Sequence, residues 1–293
     1  MTLKQALSYG REILGANTIE DPSLESELLL RYTLKISRVQ LYLELDNELK
    51  LEDEQTFWQL VKRRLSGEPT AYITQNREFY GLDFWVDPSV LIPRPESELL
   101  VEKAVELAQD NEVSTIAEIG TGCGAIAISL ALSLPRPKIY ATDISCGALE
   151  VALFNCQRYG VVDRVRLLGG DMLDPLPEPV DLMVANLPYV MEPELSRVNT
   201  LNFEPSLALN GGPDGLEKIR KLCNQIGDKL CPGGSLLLEI GQGQSREVTT
   251  FLQGLFPFAE IEIIPDLSGI DRVVNLTLRQ EAGVYRTRRP MII

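Results

Sequence analysis

The residues with the clearest chemical potential are Asn186-Leu187-Pro188-Tyr189, which follow a short apolar run at 181–185. An amide or conjugated amine nitrogen is a poor nucleophile because its lone pair is delocalised. It reacts more readily when two oxygen acceptors hold its NH₂ group. The side-chain oxygen of Asn186 can be one acceptor and the backbone carbonyl of Leu187 the other. Pro188 biases Leu187 towards an extended conformation, which aims that carbonyl. Tyr189 supplies an aromatic wall for a planar group. Positive charge grows on the nitrogen as it takes a substituent, and the acceptors stabilise that charge. The remaining requirement is alignment with an electrophile. The substituted nitrogen becomes acidic and loses its proton without a strong base. That fits a chain with no histidine, which excludes His triads, His bases and His-containing zinc sites. No metal site is expected.

Three further features form a constellation with this tetrapeptide. Gly120-Thr121-Gly122-Cys123-Gly124-Ala125 follows an apolar run and precedes a helical pattern. Glycines permit a tight turn and close approach to a ligand, and a helix N-terminus presents unpaired N–H groups. The spacing also fits the dinucleotide pattern G-x-G-x-x-G/A. Asp143 stands 19 residues past Gly124. A carboxylate there can accept from both hydroxyls of a ribose, in a nicotinamide dinucleotide or in S-adenosylmethionine, or it can cap the next helix. In such a sheet Gly170-Asp171-Met172 lies beside an adenine, with Asp171 accepting from its amino group and Met172 packing on the ring.

These residues need a scaffold, and the pattern implies one. From residue 114, short apolar strands at 115–119, 138–142, 165–168, 181–185 and 235–240 alternate with helices at 124–134, 146–159 and 215–230. Such alternation implies a parallel sheet with helices on both faces. Segments 260–264 and 272–278 suit an antiparallel edge pair. Ahead of this α/β unit, 77–93 alternate around Gly81 as a β-hairpin or extended connector, and a helix runs from Glu96 to about Gln109. Residues 1–75 read as helices. Leu3, Ala6, Leu7, Ile13 and Leu14 share one face. A second helix starts at Asp21-Pro22-Ser23 with Leu24, Leu28 and Leu29 inward. Segments 37–43 and 51–65 follow, the latter with Phe57, Leu60, Val61 and Leu65 at helical spacing. The expected division is a helical docking domain at 1–75, a hairpin connector at 76–95 and a catalytic domain at 96–293. Residues 286–289 read as a solvated end.

Composition narrows the partners. The formal net charge is −14. Proteins that grip bare nucleic acid usually carry a basic footprint, so a protein or small-molecule substrate is favoured. The five cysteines form no CxxC pair, which suits free thiols in a reducing, cytoplasmic setting. There is neither a signal-peptide pattern nor an apolar run of membrane-spanning length, and no membrane association is expected.

Taken together these motifs resemble the release factor glutamine N5-methyltransferase family (HemK/PrmC) over nearly the whole chain. The resemblance rests on segments 67–73 (GEPTAYI), 78–81 (EFYG), 91–96 (LIPRPE), 118–124, Asp143 with Asn155, 186–189, 204–209 (EPSLAL) with 211–216 (GGPDGL), and 238–241 (LEIG). It implies a class I methyltransferase fold, Rossmann-like, with a mostly parallel seven-stranded sheet and an antiparallel edge. It implies S-adenosylmethionine as cofactor, held by Gly120, Thr121, Gly122, Cys123, Gly124, Asp143 and Asn186, with Asp171 or Met172 at the adenine. It further implies that Asn186, Leu187, Pro188 and Tyr189 hold the glutamine of a Gly-Gly-Gln loop in class 1 peptide chain release factors. Two departures stand out. Leu187 replaces the first proline of the family's Asn-Pro-Pro-Tyr, and Gln75 stands where members tend to have glycine. Arg94 is expected either to touch the partner or a cofactor carboxylate, or to pair with Glu96 or Glu98.

Four other functions account for fewer of these residues. Asn-Leu-Pro-Tyr is also typical of adenine-N6 methyltransferases acting on ribosomal RNA. The acidic charge, the LIPRPE connector and a helical domain placed before the catalytic one argue against that. Relatives that methylate a ribosomal protein's glutamine differ in the connector. A nicotinamide-dependent oxidoreductase explains the glycine loop and Asp143 but gives 186–189 no role. A non-catalytic binding protein leaves the intact tetrapeptide unexplained.

Overall fold

A computed structural model describes residues 1–195 and 203–279; the stretch 286–289 lies outside the described residues. Five helices open the chain: α1 (Leu3–Ala16), α2 (Pro22–Leu34), α3 (Arg38–Leu43), α4 (Leu51–Leu65) and α5 (Thr70–Thr74). Their starts follow from local chemistry. Thr2 with Gln5 and Ser37 with Gln40 form capping boxes. Asp21 accepts from the Leu24 N–H at 3.2 Å, with Pro22 in the first turn. Leu3, Leu14, Leu29, Phe57 and Val61 meet in one apolar cluster. Spacing alone also put Leu24 and Leu65 inward, yet both are exposed. They sit in the first turn of α2 and the last of α4, where a helix has run past its neighbours.

The five-residue α5 is too short for periodicity to reveal, and it joins two cores. Ile73 enters the helical cluster while Tyr72 enters that of the sheet. The Tyr72 hydroxyl donates to the Val90 carbonyl at 2.6 Å. Gln75 closes α5 in the left-handed region, at φ 52°. Glycine reaches that conformation without steric cost, which accounts for the family's usual residue there.

The connector contains the expected hairpin. β1 (Arg77–Phe79) and β2 (Leu82–Phe84) pair antiparallel across Tyr80 and Gly81, both at positive φ. A 3₁₀ turn at Pro95–Ser97 leads into α6 (Glu98–Asp110). The main sheet then forms from β3 (Thr115–Ile119), β4 (Lys138–Asp143), β5 (Val165–Gly169), β6 (Val180–Ala185), β7 (Leu230–Glu239), β8 (Glu260–Pro265) and β9 (Asp271–Thr277). Its order is β5-β4-β3-β6-β7-β9-β8. The first five strands are parallel, and β9 runs antiparallel to both of its neighbours. This is the class I methyltransferase arrangement, with its antiparallel edge.

Helices α7 (Ala125–Ser133) and α8 (Cys146–Arg158) join α6 on one face, against Ile116, Ile139 and Leu182. After the single turn α9 (Glu192–Leu195), α10 (Glu217–Gln225) and α11 (Ser245–Leu255) cover the other face, against Ala117, Tyr140 and Met183. Successive strand residues point to opposite layers, and both layers are apolar, so the inner strands read as continuous apolar runs. The expected helix at 215–230 ends earlier, because β7 already begins at Leu230. Helix α11 lies outside the expected elements, although Val248, Phe251 and Leu252 mark its inner face. Among the described residues, no helix is long and apolar enough to cross a membrane.

Candidate active site

The chain winds outward from β3 through β4 and β5, then returns to β6 on the other side of β3. The carboxyl ends of β3 and β6 therefore flank the reversal point, where open α/β sheets bind ligands. Ile119 pairs with Ala185, so Gly120 and Asn186 leave the sheet side by side. A cleft opens there. Its walls include Gly120, Gly122, Asp143, Asp171, Met172 and Asn186. Leu187 and Pro188 also border it, as do Ser89 and Val90 of the connector. A wider groove near the amino ends of β6 and β7, lined by Cys231 and Phe258, contains none of these residues.

The glycine turn is held from below. Gly120, Gly122 and Gly124 take φ of 75°, 55° and 83°. The N–H groups of Gly120 and Thr121 both donate to the Thr142 carbonyl at 2.9 Å. Asp143 Oδ2 accepts from the Gly122 N–H at 2.9 Å, and Oδ1 from the Ser145 N–H at 2.9 Å. Each oxygen keeps a lone pair for a ligand. The cap of α8 is Ser145, which accepts from Ala148. Thr121, Cys123 and Gly124 do not line the cleft. The Thr121 hydroxyl donates to Glu118 at 2.6 Å, the Cys123 carbonyl accepts from Asn155 at 2.9 Å, and Gly124 starts α7. These three support the turn from behind.

Asn186 donates through Nδ2 to Ser97 Oγ at 2.7 Å. Among the described residues, no hydrogen bond engages its Oδ1. The loop that follows is fixed by close backbone approach. Gly211 donates to the Val190 carbonyl at 2.9 Å, and a Cβ at Gly211 would fall 2.8 Å from the Pro188 carbonyl oxygen. Any larger residue at 211 would therefore displace 188–190. Tyr189 is not part of the cleft wall. Its hydroxyl turns to Glu239 Oε1 at 3.4 Å, and burial, then the Glu239 charge, pushes it up to about 12.

Two groups just after β5 differ from the simplest expectation. The Asp171 carboxylate is engaged in an ion pair with Lys221. Met172 adopts φ 48°, and its carbonyl accepts from the Thr142 hydroxyl at 3.0 Å. Arg94 meets neither Glu96 nor Glu98. It pairs with Glu204, whose other oxygen accepts from the Ile92 N–H at 3.2 Å. This pairing spans 110 positions, so local spacing could not disclose it. It fastens the connector to the segment after residue 202.

Three contributors carry no role in the motifs above. Ser97 orients Asn186. Glu118 accepts from Thr121 and from the Ala127 N–H at 3.0 Å, and burial pushes its carboxyl up to about 8. Glu239 is buried at the end of β7. A signal existed for both carboxylates, since Glu118 stands between Ala117 and Ile119 in β3 and Glu239 follows three leucines at the end of β7, where an unpaired charge is costly.

Comparison with known proteins follows the same outline. Residues 5–74 match the PrmC N-terminal domain family, and residues 95–202 match the methyltransferase small domain family. The release factor glutamine methyltransferase of Moorella thermoacetica is 43% identical over 283 residues, covering 96% of this chain and 100% of that protein. Its counterpart in Koribacter versatilis is 39% identical over 279 residues, covering 94% and 98%. Among solved structures, a methyltransferase from Pyrococcus furiosus has a TM-score of 0.50 at 20% identity, over 68% of this chain and 90% of that one. A 16S rRNA methyltransferase from T. thermophilus has a TM-score of 0.51 at 17% identity, over 70% and 50%. Both structural similarities concern the fold. With sequence identity at this level along nearly its full length, the chain belongs to the release factor glutamine methyltransferase family.

Proposed function

We propose that this chain transfers a methyl group from S-adenosyl-L-methionine to the side-chain N5 of the glutamine in the Gly-Gly-Gln loop of class 1 peptide chain release factors. The observation that carries this reading is the state of Asn186. Its amide nitrogen is tied to Ser97, its oxygen is left for a ligand, and it stands beside the glycine turn. A glutamine amide presents two N–H groups. Asn186 Oδ1 takes one and the Leu187 carbonyl takes the other, which localises the nitrogen lone pair and stabilises the charge that develops on it. Pro188 keeps Leu187 extended.

The residues present fit the cofactor. Asp143 keeps lone pairs for the ribose hydroxyls. A Cβ at Gly122 would meet nothing within 4 Å, so a ligand can approach that backbone closely. Thr121, Cys123 and Gly124 hold the turn in shape, and Met172 offers an apolar surface for adenine beside Asp171. When bound, S-adenosylmethionine supplies an electrophilic methyl on a sulfonium. The methylated amide nitrogen is acidic, so its proton leaves without a histidine base. We assign partner docking to the helical unit (1–75) and the connector (76–95), because connector residues Ser89 and Val90 border the cleft. Five free cysteines suit a cytoplasmic setting.

The test is incubation with labelled S-adenosylmethionine and three candidate acceptors: a release factor, its Gly-Gly-Gln loop variant with Gln→Ala, and ribosomal RNA. Label confined to the intact release factor supports the reading. Label on the loop variant or on RNA overturns it.

A further inference from the structure

Three loops converge beside the cleft, and one side chain joins them. They are the tetrapeptide loop after β6, the glycine-rich stretch 211–216 and the turn after β7. Their carbonyl oxygens crowd together. A Cβ at Gly211 would fall 2.7 Å from the Gly215 carbonyl oxygen and 2.8 Å from that of Pro188. A Cβ at Gly215 would collide with the Tyr189 carbonyl. Among the described residues, no backbone N–H donates to the carbonyl of Tyr189 or of Gly215. Their donor is Gln244 Nε2, at 3.2 Å from the Tyr189 oxygen and 3.4 Å from that of Gly215. Gln244 Oε1 accepts from the Gly241 N–H at 2.8 Å, and the Gln244 N–H returns to the Gly241 carbonyl at 3.1 Å. Gln244 stands at the N-cap of α11, yet its side chain makes no capping bond. It turns back onto the loops instead.

We propose that Gln244 is a positioning residue for methyl transfer, which fixes the loop that carries the Leu187 carbonyl. This deepens the methyl-transfer reading above and rests on it. The loop is anchored at its start by Asn186, whose amide is tied to Ser97. Beyond its end it is anchored by Val190, whose N–H donates to the Leu209 carbonyl and whose carbonyl accepts from Gly211. Between these anchors stand Leu187, Pro188 and Tyr189. Proline locks its own φ, so Pro188 is stiff, but leucine leaves the torsion at 187 free to turn. Holding the Tyr189 carbonyl removes that freedom from the far side of Pro188. The Tyr189 ring is seated by the same turn, since a Cβ at Gly241 would fall 3.1 Å from Tyr189 Cδ2. Gln244 and Gly241 thus hold the residue that follows Pro188 by its carbonyl and by its ring.

The three partners select the side chain. Two carbonyls can only accept, and one N–H can only donate. A side chain that answers all three needs an NH₂ and an oxygen on one planar carbon, with the reach to span the loops. Glutamine has both, and asparagine is one methylene shorter. Glutamate keeps an oxygen for Gly241 but sets a carboxylate against two carbonyl oxygens. Its neutral form regains one O–H donor. A titrating side chain at 244 would therefore switch the loop between loosened and held. The titratable groups on these loops are Tyr189, Asp214 and Glu239, with Glu217 opening α10 and Arg272 beside Tyr189. All of them are common to wild type and to a variant at 244, so a ratio of rates isolates this position.

The experiment uses the full chain with a release factor and saturating S-adenosylmethionine. Single-turnover rates are measured across the range in which a carboxyl titrates, for wild type, Q244M and Q244E. Q244M keeps the length of the side chain and loses its three hydrogen bonds. It should be slower by about 10–100-fold, the size of two carbonyls left without donors. Its dissociation constant for S-adenosylhomocysteine should stay within about twofold of wild type. The Q244E rate, divided by that of wild type, should be highest at low pH and fall about tenfold as the carboxyl ionises. Its affinity for S-adenosylhomocysteine should follow wild type throughout, which shows that the fold persists. Should Q244M not fold, the pH step in Q244E decides. A Q244E ratio without a pH step, or rate and cofactor affinity lost together in Q244E, overturns the proposal, as does a wild-type rate in Q244M. Failure of the underlying function is seen separately, as a wild-type enzyme that labels no release factor.

Discussion

Asn155 engages the Trp85 backbone in both directions, accepting the Trp85 N–H at 2.9 Å and donating to the Trp85 carbonyl at 2.9 Å. Its other donor contact is the Cys123 carbonyl at 2.9 Å. One fully buried side chain on α8 thus ties the connector to the glycine turn. Replacing it by alanine leaves three backbone groups without partners. At about 1 kcal/mol each, more where water cannot enter, Asn155→Ala should lower unfolding free energy by about 3 kcal/mol. A reduced urea midpoint with an unchanged slope would report this. An unchanged midpoint would mean that the connector is held by other contacts.

Asp143 serves the turn and a ligand at once. Its oxygens already take the Gly122 and Ser145 N–H groups. Asp143→Ala should therefore weaken S-adenosylhomocysteine by about 10–100-fold, the size of a lost hydrogen bond to a charged acceptor together with a loosened turn. Isothermal titration calorimetry reads this directly. Equal affinity in the variant would remove Asp143 from the cofactor site.

Glu118 gives a pH signature. Burial pushes its carboxyl up to about 8, the Thr121 and Ala127 hydrogen bonds oppose this, and the Asp143 charge adds to it. The folded value lies above the unfolded value of about 4.3, so the folded chain binds this proton more tightly. The contribution to stability is complete below about pH 4 and is lost as pH rises towards about 8. Glu118→Gln does not titrate. Wild type should therefore lose stability relative to Glu118→Gln between about pH 5 and about pH 8 in urea melts. A difference that stays constant over this interval would contradict a raised carboxyl.

The Arg94–Glu204 pair predicts an asymmetric mutational effect. Glu204 is nearly buried on its side chain, at 4% exposure, while Arg94 keeps 35%. Arg94→Ala leaves a buried carboxylate with only the Ile92 N–H. Allowing for solvent at the arginine, it should cost about 2 kcal/mol. Adding Glu204→Gln should return part of that loss, which a double-mutant cycle by chemical denaturation would show. A second substitution that only adds to the damage would mean the pair is not coupled.

The sequence disclosed the sheet because its strands are uniformly apolar and regularly spaced, and it disclosed the cleft because glycines and the 186–189 tetrapeptide sit at strand ends. It did not disclose α5, which is shorter than the period that would reveal it. Leu24 and Leu65 show why helical spacing overstates burial at helix ends, where no neighbour remains to pack against. The partners of Asn186, Arg94 and Asn155 lie 89, 110 and 70 positions away. Only the folded topology brings such groups together. Tyr189 illustrates the same limit, because its residue type suggested a stacking wall while its hydroxyl turns to a glutamate on a strand 50 positions later.

The most direct measurement concerns Asn186 itself. Asn186→Ala keeps the fold of the loop but removes one of the two oxygens that hold the substrate nitrogen. Single-turnover methylation of a release factor should slow by about 10²–10³-fold, while calorimetric titration with S-adenosylhomocysteine gives an affinity close to wild type. A variant that methylates as fast as wild type would contradict the claim that this side-chain oxygen grips the nitrogen as the methyl arrives.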